Sequence, residues 1–267
     1  MTTIAVLGLG EAGRLYARGL REAGAEVRGY DPHHELGDPA IRQCASLADA
    51  LAGADVVLSL VGASAAASVA RPALSAMSHI AIYADLNTAS PELKQYVESV
   101  AATHGVLMAD VAVLAPVLRA GHRTPLLASG PGANALAERL APLGVPIDVI
   151  EGEAGEAARL RLLRSVFMKG LAALMIEGVG VARTIGAEEW LRGQMAEELG
   201  PAGGALVERL IDGSYLHAVR REHEMQDALR AVESSGQPAD MTRATLAWFQ
   251  RLADSQRSGD EPPRSGG

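Results

Sequence analysis

The run Gly8-Leu9-Gly10-Glu11-Ala12-Gly13 restricts this chain more than any other feature. It stands between a short apolar segment, Ile4 to Leu7, and a helical pattern from Gly13 to Ala23. A G-x-G-x-x-G run says little by itself, but one that closes a strand and opens a helix has three steric tasks. Gly8 permits a tight turn, Gly10 lets the backbone approach a pyrophosphate, and Gly13 lets the helix lie close to the strand. The N-terminus of that helix then offers N–H groups and the positive end of its dipole to phosphates. The next apolar segment, Glu26 to Tyr30, ends at Asp31, 23 residues after Gly8. A carboxylate there accepts hydrogen bonds from the adenosine ribose and repels a 2′-phosphate. The expected ligand is a nicotinamide dinucleotide, NAD, with NADP as the alternative. Its contacts would be Gly8, Leu9, Gly10, Glu11, Ala12, Gly13 and Asp31, with the Glu11 side chain turned away from the pyrophosphate.

Further apolar segments follow at Asp55 to Val61, Ile80 to Leu86, Val106 to Val113, Leu126 to Ser129 and Val145 to Ile150. Helical patterns lie between them, at 47–51, 65–77, 91–102 and 133–140. This alternation implies βαβ units and a mostly parallel sheet. Ser90-Pro91-Glu92 is a helix start, with serine as N-cap and proline at the first helical position. After Gly155 the character changes. Ala157 to Arg183 is a helix pattern that is apolar around most of its circumference, as expected for a helix buried on several sides. Beyond it the chain reads as helical, broken at Gly200-Pro201, Gly203-Gly204 and Gly236-Gln237-Pro238. The expected architecture is an α/β, doubly wound Rossmann domain over 1–152 and an all-helical domain over 153–254. The long helix joins them, and a polar, disordered tail covers 255–267.

Charge and composition exclude other classes. The 24 Lys and Arg stand against 32 Asp and Glu, a net charge of −8, so the chain lacks the basic surface on which nucleic-acid binding depends. One cysteine, Cys44, excludes an internal disulfide framework. No run of about 20 uncharged apolar residues suggests a membrane span. The opening MTTIAVLGLG has no basic stretch before its apolar run and reads as a strand, so a soluble cytoplasmic protein is expected. HExxH, Cys–His clusters and carboxylate pairs at metal spacing do not occur, and no metal is expected. Of the 24 basic residues only Lys94 and Lys169 are lysine.

Arg161, Ser165 and Lys169 stand at i, i+4 and i+8 of the long helix and share one stripe. Hydride transfer to a carbonyl needs a proton donor, and Lys169 in a cleft beside the nucleotide domain would supply it. The alternative is a lysine that snorkels to the surface. Arg161 would anchor an anionic group, and Asn87 and Thr88 follow a strand end, where open α/β sheets bind ligands. His122 and Arg123 are loop residues suited to a substrate anion. His223 lies in a polar helix with His217, Arg220, Arg221, Glu224 and Asp227. That helix is either a wall of the site or an exposed surface laced with i, i+4 pairs.

The opening glycine run with Leu20 and Ala23-Gly24 resembles the β-hydroxyacid dehydrogenase superfamily. This includes 3-hydroxyisobutyrate dehydrogenase and the NAD-binding part of 6-phosphogluconate dehydrogenase, with imine reductases as relatives. Asp85-Leu86-Asn87-Thr88-Ala89-Ser90-Pro91 is similar to the D-x-S-T-x-x-P loop that lies beside the nicotinamide in that family, with Asn87 for serine. Asp110 to Pro116 stands where the family binds substrate through D-A-P-V-S-G-G, and Leu114-Ala115-Pro116 replaces Ser-Gly-Gly. Gly152 to Arg161 matches the catalytic G-x-x-G-x-G-x-x-x-K segment, with Arg161 at the lysine and Ser165 at the asparagine that follows. Leu163 to Gly170, Arg221 to Met225 and Gly121 to Leu127 resemble a subgroup of phosphogluconate-dehydrogenase-like oxidoreductases whose C-terminal domain has no known function. The resemblance implies hydride transfer between nicotinamide and a small carbonyl or alcohol. Lys169, Arg161 and Ser165 would be catalytic, and Thr88, Leu114, His122, Arg123 and His223 would face substrate. Imine reduction is the alternative chemistry, and a non-catalytic NAD(H) sensor or partner-binding protein the alternative class. A homodimer is expected, because one small helical domain can hardly cover so apolar a helix.

Overall fold

The structure, a computed structural model, describes residues 1–258. The apolar segments of the N-terminal part become eight strands: β1 (Thr3–Leu7), β2 (Glu26–Tyr30), β3 (Arg42–Gln43), β4 (Val56–Ser59), β5 (Ile82–Asp85), β6 (Leu107–Val113), β7 (Leu126–Ser129) and β8 (Ile147–Val149). They form one sheet in the order β3-β2-β1-β4-β5-β6-β7-β8. Every pairing is parallel except β6 with β7. The order 3-2-1-4-5-6 is that of a doubly wound dinucleotide fold, with the reversal next to β1.

Parallel strands require crossovers, and the crossovers cover both faces of the sheet. One face is closed by α1 (Glu11–Glu22) and α5 (Ala133–Leu140), whose Tyr16, Leu20, Leu136 and Leu140 meet Ile4, Val6, Val56 and Leu58. The other is closed by α2 (Leu47–Leu51), α3 (Ala66–Ala76) and α4 (Pro91–Thr103), whose Leu51, Leu74, Val97 and Ala101 meet Ala5, Leu7, Val57 and Tyr83. A strand covered on both sides has no polar alternation, which is why β1 reads as an unbroken apolar run. Ser90 caps α4 by accepting from the Leu93 N–H at 3.4 Å, with Pro91 in the first turn. β3 escapes the sequence pattern. It is two exposed residues at the sheet edge, paired with Arg28 and Gly29, and buries no side chain that would mark it.

The helical part comprises α6 (Glu156–Thr184), α7 (Glu188–Glu198), α8 (Gly203–Leu216), α9 (Ala218–Ser234) and α10 (Asp240–Ser258). The N-terminal unit runs to Arg161 and the helical unit begins at Leu162, inside α6, where the sequence suggests 152/153. The helical core gathers Ala172, Met175, Ile176 and Val179 of α6, Val207, Leu210 and Ile211 of α8, Met225 and Ala228 of α9, and Phe249 of α10.

Three expectations are corrected here. Gly203-Gly204 does not break the chain but opens α8. A Cβ on Gly203 would lie 2.0 Å from the Ala196 carbonyl oxygen, so glycine serves close packing of α8 on α7. Residues 255–258 continue α10, where Arg257 pairs with Glu222 at 2.6 Å; the rest of the expected tail, 259–267, lies outside the described residues. And α6 is not buried on several sides. Its Ala172–Val179 side is packed, while Leu163, Phe167, Leu174 and Val181 are 55–67% exposed. By length and composition α6 would suffice to cross a membrane. Its packed side and the Lys169–Glu224 ion pair are those of a core helix.

Phe249, fully buried among these helices, makes the fold testable. Phe249→Ala is expected to cost about 3–5 kcal/mol, the usual range for emptying an aromatic site in a core. Urea denaturation followed by circular dichroism at 222 nm measures it.

Candidate coenzyme and active site

The glycine turn separates into residues the fold needs and one it does not. Gly8 has φ +91°, and a Cβ there would lie 2.5 Å from the Leu60 carbonyl oxygen. A Cβ on Gly13 would lie 1.9 Å from the Gly8 carbonyl oxygen, so α1 starts tight against the turn. Gly10 has φ −65°, which any residue adopts, and a Cβ there meets nothing within 4 Å. Nothing in the chain itself requires glycine at position 10; the open space above it fits a ligand that approaches the backbone closely. Gly10 is also the N-cap of α1 and has no side chain to accept from the first-turn N–H groups, which leaves them for an anion. Leu9 is buried, Ala12 half-buried, and Glu11 exposed in the first turn, clear of the turn's interior.

Asp31 is tied to this turn. Its Oδ2 accepts from the Leu9 N–H at 2.7 Å, and its Oδ1 from the His33 and His34 N–H groups at 2.8 and 3.1 Å. The exposed His34 ring lies 3.2 Å from Oδ2. Partial burial alone would raise the Asp31 pKa; the Leu9, His33 and His34 hydrogen bonds outweigh it and hold the carboxyl below its ordinary value. The carboxylate therefore stays ionised at neutral pH.

A second polar group sits at the C-terminal ends of β4 and β5 and beside them at the middle of β6. The register sets Ser59 beside Asp85 and Asp85 beside Asp110, so the three side chains emerge in one row on one face. Lys94 of α4 reaches this row. Its ammonium lies 2.7 Å from the Asp85 carbonyl oxygen, 3.3 Å from Asp85 Oδ1 and 3.1 Å from Asp110 Oδ1. All three charged side chains are about 1% exposed or less. Asp110 Oδ2 accepts from the Gly155 and Ala158 N–H groups at 2.9 and 3.0 Å, capping α6. Asn87 is buried, with its amide donating to Asp85 Oδ1 and Ser59 Oγ and its carbonyl accepting from the Gly62 N–H at 2.8 Å. Thr88, next to it, is exposed.

The stripe on α6 gains a partner from α9. Lys169 Nζ lies 3.1 Å from Ser165 Oγ and 2.8 Å from Glu224 Oε2, with side chains only 11% and 15% exposed. Lys169 thus ends on a carboxylate and a hydroxyl, not in bulk water. Arg161 is half-buried one turn before Ser165. His223 is exposed on α9, while Glu224 beside it turns inward. Glu222 and Arg221 of α9 also turn inward; Arg221 is bonded to Ser214 Oγ, and burial lowers its pKa to about 10.

The loop residues expected at a substrate do not gather. His122 packs on α1: a Cβ on Gly19 would lie 2.0 Å from its Nδ1. Gly19 is about two turns along α1 from the glycine turn, away from the rim of the sheet. Burial, with the nearby Arg123 charge, lowers the His122 pKa and keeps the ring neutral. This is a packing role, not a substrate contact. Arg123 is exposed, and the Leu114 N–H is spent on the Pro125 carbonyl at 3.0 Å. Among the described residues, no three His, Cys, Asp or Glu are arranged to hold a metal ion. Two participants escaped the sequence. Glu224 read only as part of a polar helix. Lys94 had one signal, being a lysine in a chain that otherwise uses arginine.

A doubly wound sheet, an uncapped glycine turn and a tethered carboxylate are the features of a dinucleotide-binding domain. The chain belongs to the family of the NAD binding domain of 6-phosphogluconate dehydrogenase, which matches residues 3–143. Residues 182–252 match a domain of unknown function, DUF1932. The chain is 29% identical over 177 residues to an uncharacterized protein in the 7S RNA 5′ region of Methanothermus fervidus, a match spanning 65% of this chain and 66% of that protein. A conserved hypothetical protein from Sinorhizobium meliloti 1021 is 31% identical, with TM-score 0.75 over 99% of this chain and 92% of that one. The 3-hydroxyisobutyrate dehydrogenase of Mycobacterium tuberculosis shares the fold, with TM-score 0.79 at 21% identity over 95% and 94% of the two chains. A reductive aminase from Aspergillus terreus does so with TM-score 0.64 at 18% identity over 97% and 95%. The class is that of NAD(P)-dependent oxidoreductases.

The two glycines flanking the helix start should part company on substitution. Gly10→Ala should fold with an unchanged melting temperature and lose NADH binding. Gly13→Ala should lose stability itself, by at least the roughly 1–3 kcal/mol of an overpacked site. Differential scanning fluorimetry with and without NADH separates the two.

Proposed function

We propose that the protein is an NAD(H)-dependent oxidoreductase that passes a hydride between the nicotinamide and a small carbonyl or alcohol substrate. The observation that carries this is the open space over Gly10, above an α1 N-terminus without a side-chain cap. Gly8 to Gly13 would hold the pyrophosphate and Asp31 the adenosine ribose, and the Asp31 carboxylate favours NAD(H) over the 2′-phosphorylated form. When bound, the nicotinamide supplies or accepts the hydride. The proton that must accompany it is assigned to Lys169, held by Glu224 and Ser165, with Arg161 as the anchor for an anionic or polar substrate group.

Imine reduction is supported by a particular observation. The Leu114 N–H is already bonded to Pro125, and Pro116 has no N–H, so this segment offers few donors to a substrate carboxylate. Substrates without a carboxylate, cyclic imines among them, fit such a site better than hydroxyacids do. The protein is further proposed to work as a soluble cytoplasmic homodimer. Its α6 residues Phe167, Leu174 and Val181 repeat every seven positions and are exposed, the pattern of a helix seam awaiting a second copy.

Following NADH absorbance across hydroxyacids, aldehydes and cyclic imines tests the chemistry. Lys169→Ala should lower turnover about 100-fold or more, the size of a lost general acid or base. Retained activity removes Lys169 from the mechanism. Tight NADH binding without turnover of any compound favours a sensor over an enzyme. For the assembly, Phe167→Ser should halve the native mass measured by light scattering, and an unchanged mass places the seam elsewhere.

A further inference from the structure

The side-chain amide of Asn87 is engaged within the protein. Both amide protons and the carbonyl oxygen are used, on Asp85, Ser59 and Gly62. Those bonds tie the turn after β4 to the turn after β5. Through Asp85 they continue to Lys94, and through Lys94 to Asp110 and the first turn of α6. The chain of contacts from Gly62 to Ala158 runs across the ends of β4 and β5 and the middle of β6.

The charges within it explain why these residue types occur. The Lys94 ammonium donates to the Asp85 carbonyl oxygen and lies within 3.3 Å of one carboxylate oxygen of Asp85 and one of Asp110, so its charge is met on three sides. A guanidinium carries five donors on a broader plane and would leave some unmet in a space closed to water. This accounts for a lysine in a chain that otherwise uses arginine. Two carboxylates face one ammonium, and the second negative charge is met by the N–H groups and dipole at the start of α6. The group is too buried to touch substrate.

We infer that Lys94, Asp85, Asp110 and Asn87 form a buried positioning unit, which holds the turns after β4 and β5 in one arrangement at the nicotinamide end of the coenzyme site. The inference rests on the dinucleotide reading above. The ends of β1 and β2 take the pyrophosphate and adenosine ribose, and β4 and β5 lie on the other side of β1 in the sheet, where the second half of a dinucleotide must go. None of the four is a catalytic residue. They act through the backbone of 60–62 and 86–88.

Titration calorimetry with two probes separates positioning from mere structural support. NADH spans both halves of the site, and ADP, which lacks the nicotinamide and its ribose, reports only the adenosine and pyrophosphate half. Asn87→Ser is too short to reach the Gly62 N–H and leaves the Lys94 ion pairs in place. It should bind NADH about tenfold more weakly, the size of losing one well-placed hydrogen bond that orients the site, and ADP within about twofold of the unmodified protein. Lys94→Met should show the same split if it folds; if it does not fold, Asn87→Ser carries the test. Unchanged NADH affinity in Asn87→Ser, equal loss of both probes, or a folded Lys94→Met without the split overturns the inference. If the unmodified protein binds neither probe, the dinucleotide reading itself falls, and the positioning role falls with it.

Discussion

Both faces of this parallel sheet are covered by helices, and that constraint decides where chemistry can stand. A side chain in mid-strand is mostly sealed in hydrocarbon, so polar groups gather towards the strand ends, where turns and helix N-termini supply donors. Gly8 to Gly13, Asp31, Ser59 and Asp85 lie on one rim for this reason, with Asp110 beside them. The same rim is where parallel strands of this order bind ligands. Fold and site are consequences of one burial pattern.

The rim is organised in two halves with different physics. Around β1 and β2 the protein leaves donors unspent: an uncapped helix start and an open approach over Gly10. Around β4, β5 and β6 it turns them inward, with Asn87, Lys94 and two aspartates held against one another. An anionic ligand needs the first condition, and a fixed geometry for reaction needs the second. In the helical unit, Lys169 lies between these extremes, paired with Glu224 and Ser165 at the margin of solvent.

Much of the N-terminal unit was legible because its signals are local. Apolar runs bounded by glycine gave β2, β7 and α5 to the residue, and Ser90-Pro91 gave the start of α4. The spacing from Gly8 to Asp31 was legible for the same reason. What escaped depends on register or on distant partners. Asp85, Lys94 and Asp110 are separated in sequence, and only strand pairing and the packing of α4 bring their charges together. His122 read as a loop anion contact because the groove it fills, over Gly19, belongs to a helix a hundred residues earlier. The apolar circumference of α6 suggested burial, but one helical unit supplies neighbours for only one side.

The tether of Asp31 has a consequence for how a ligand enters. Two carboxylate oxygens offer about four acceptor positions, and Leu9, His33, His34 and the His34 ring already occupy that number. Three of those donors are backbone and cannot leave without unmaking the turn. The imidazole is exposed and can. Under the proposed function, a sugar hydroxyl reaching this carboxylate would have to displace the His34 ring, which would act as a placeholder at that oxygen.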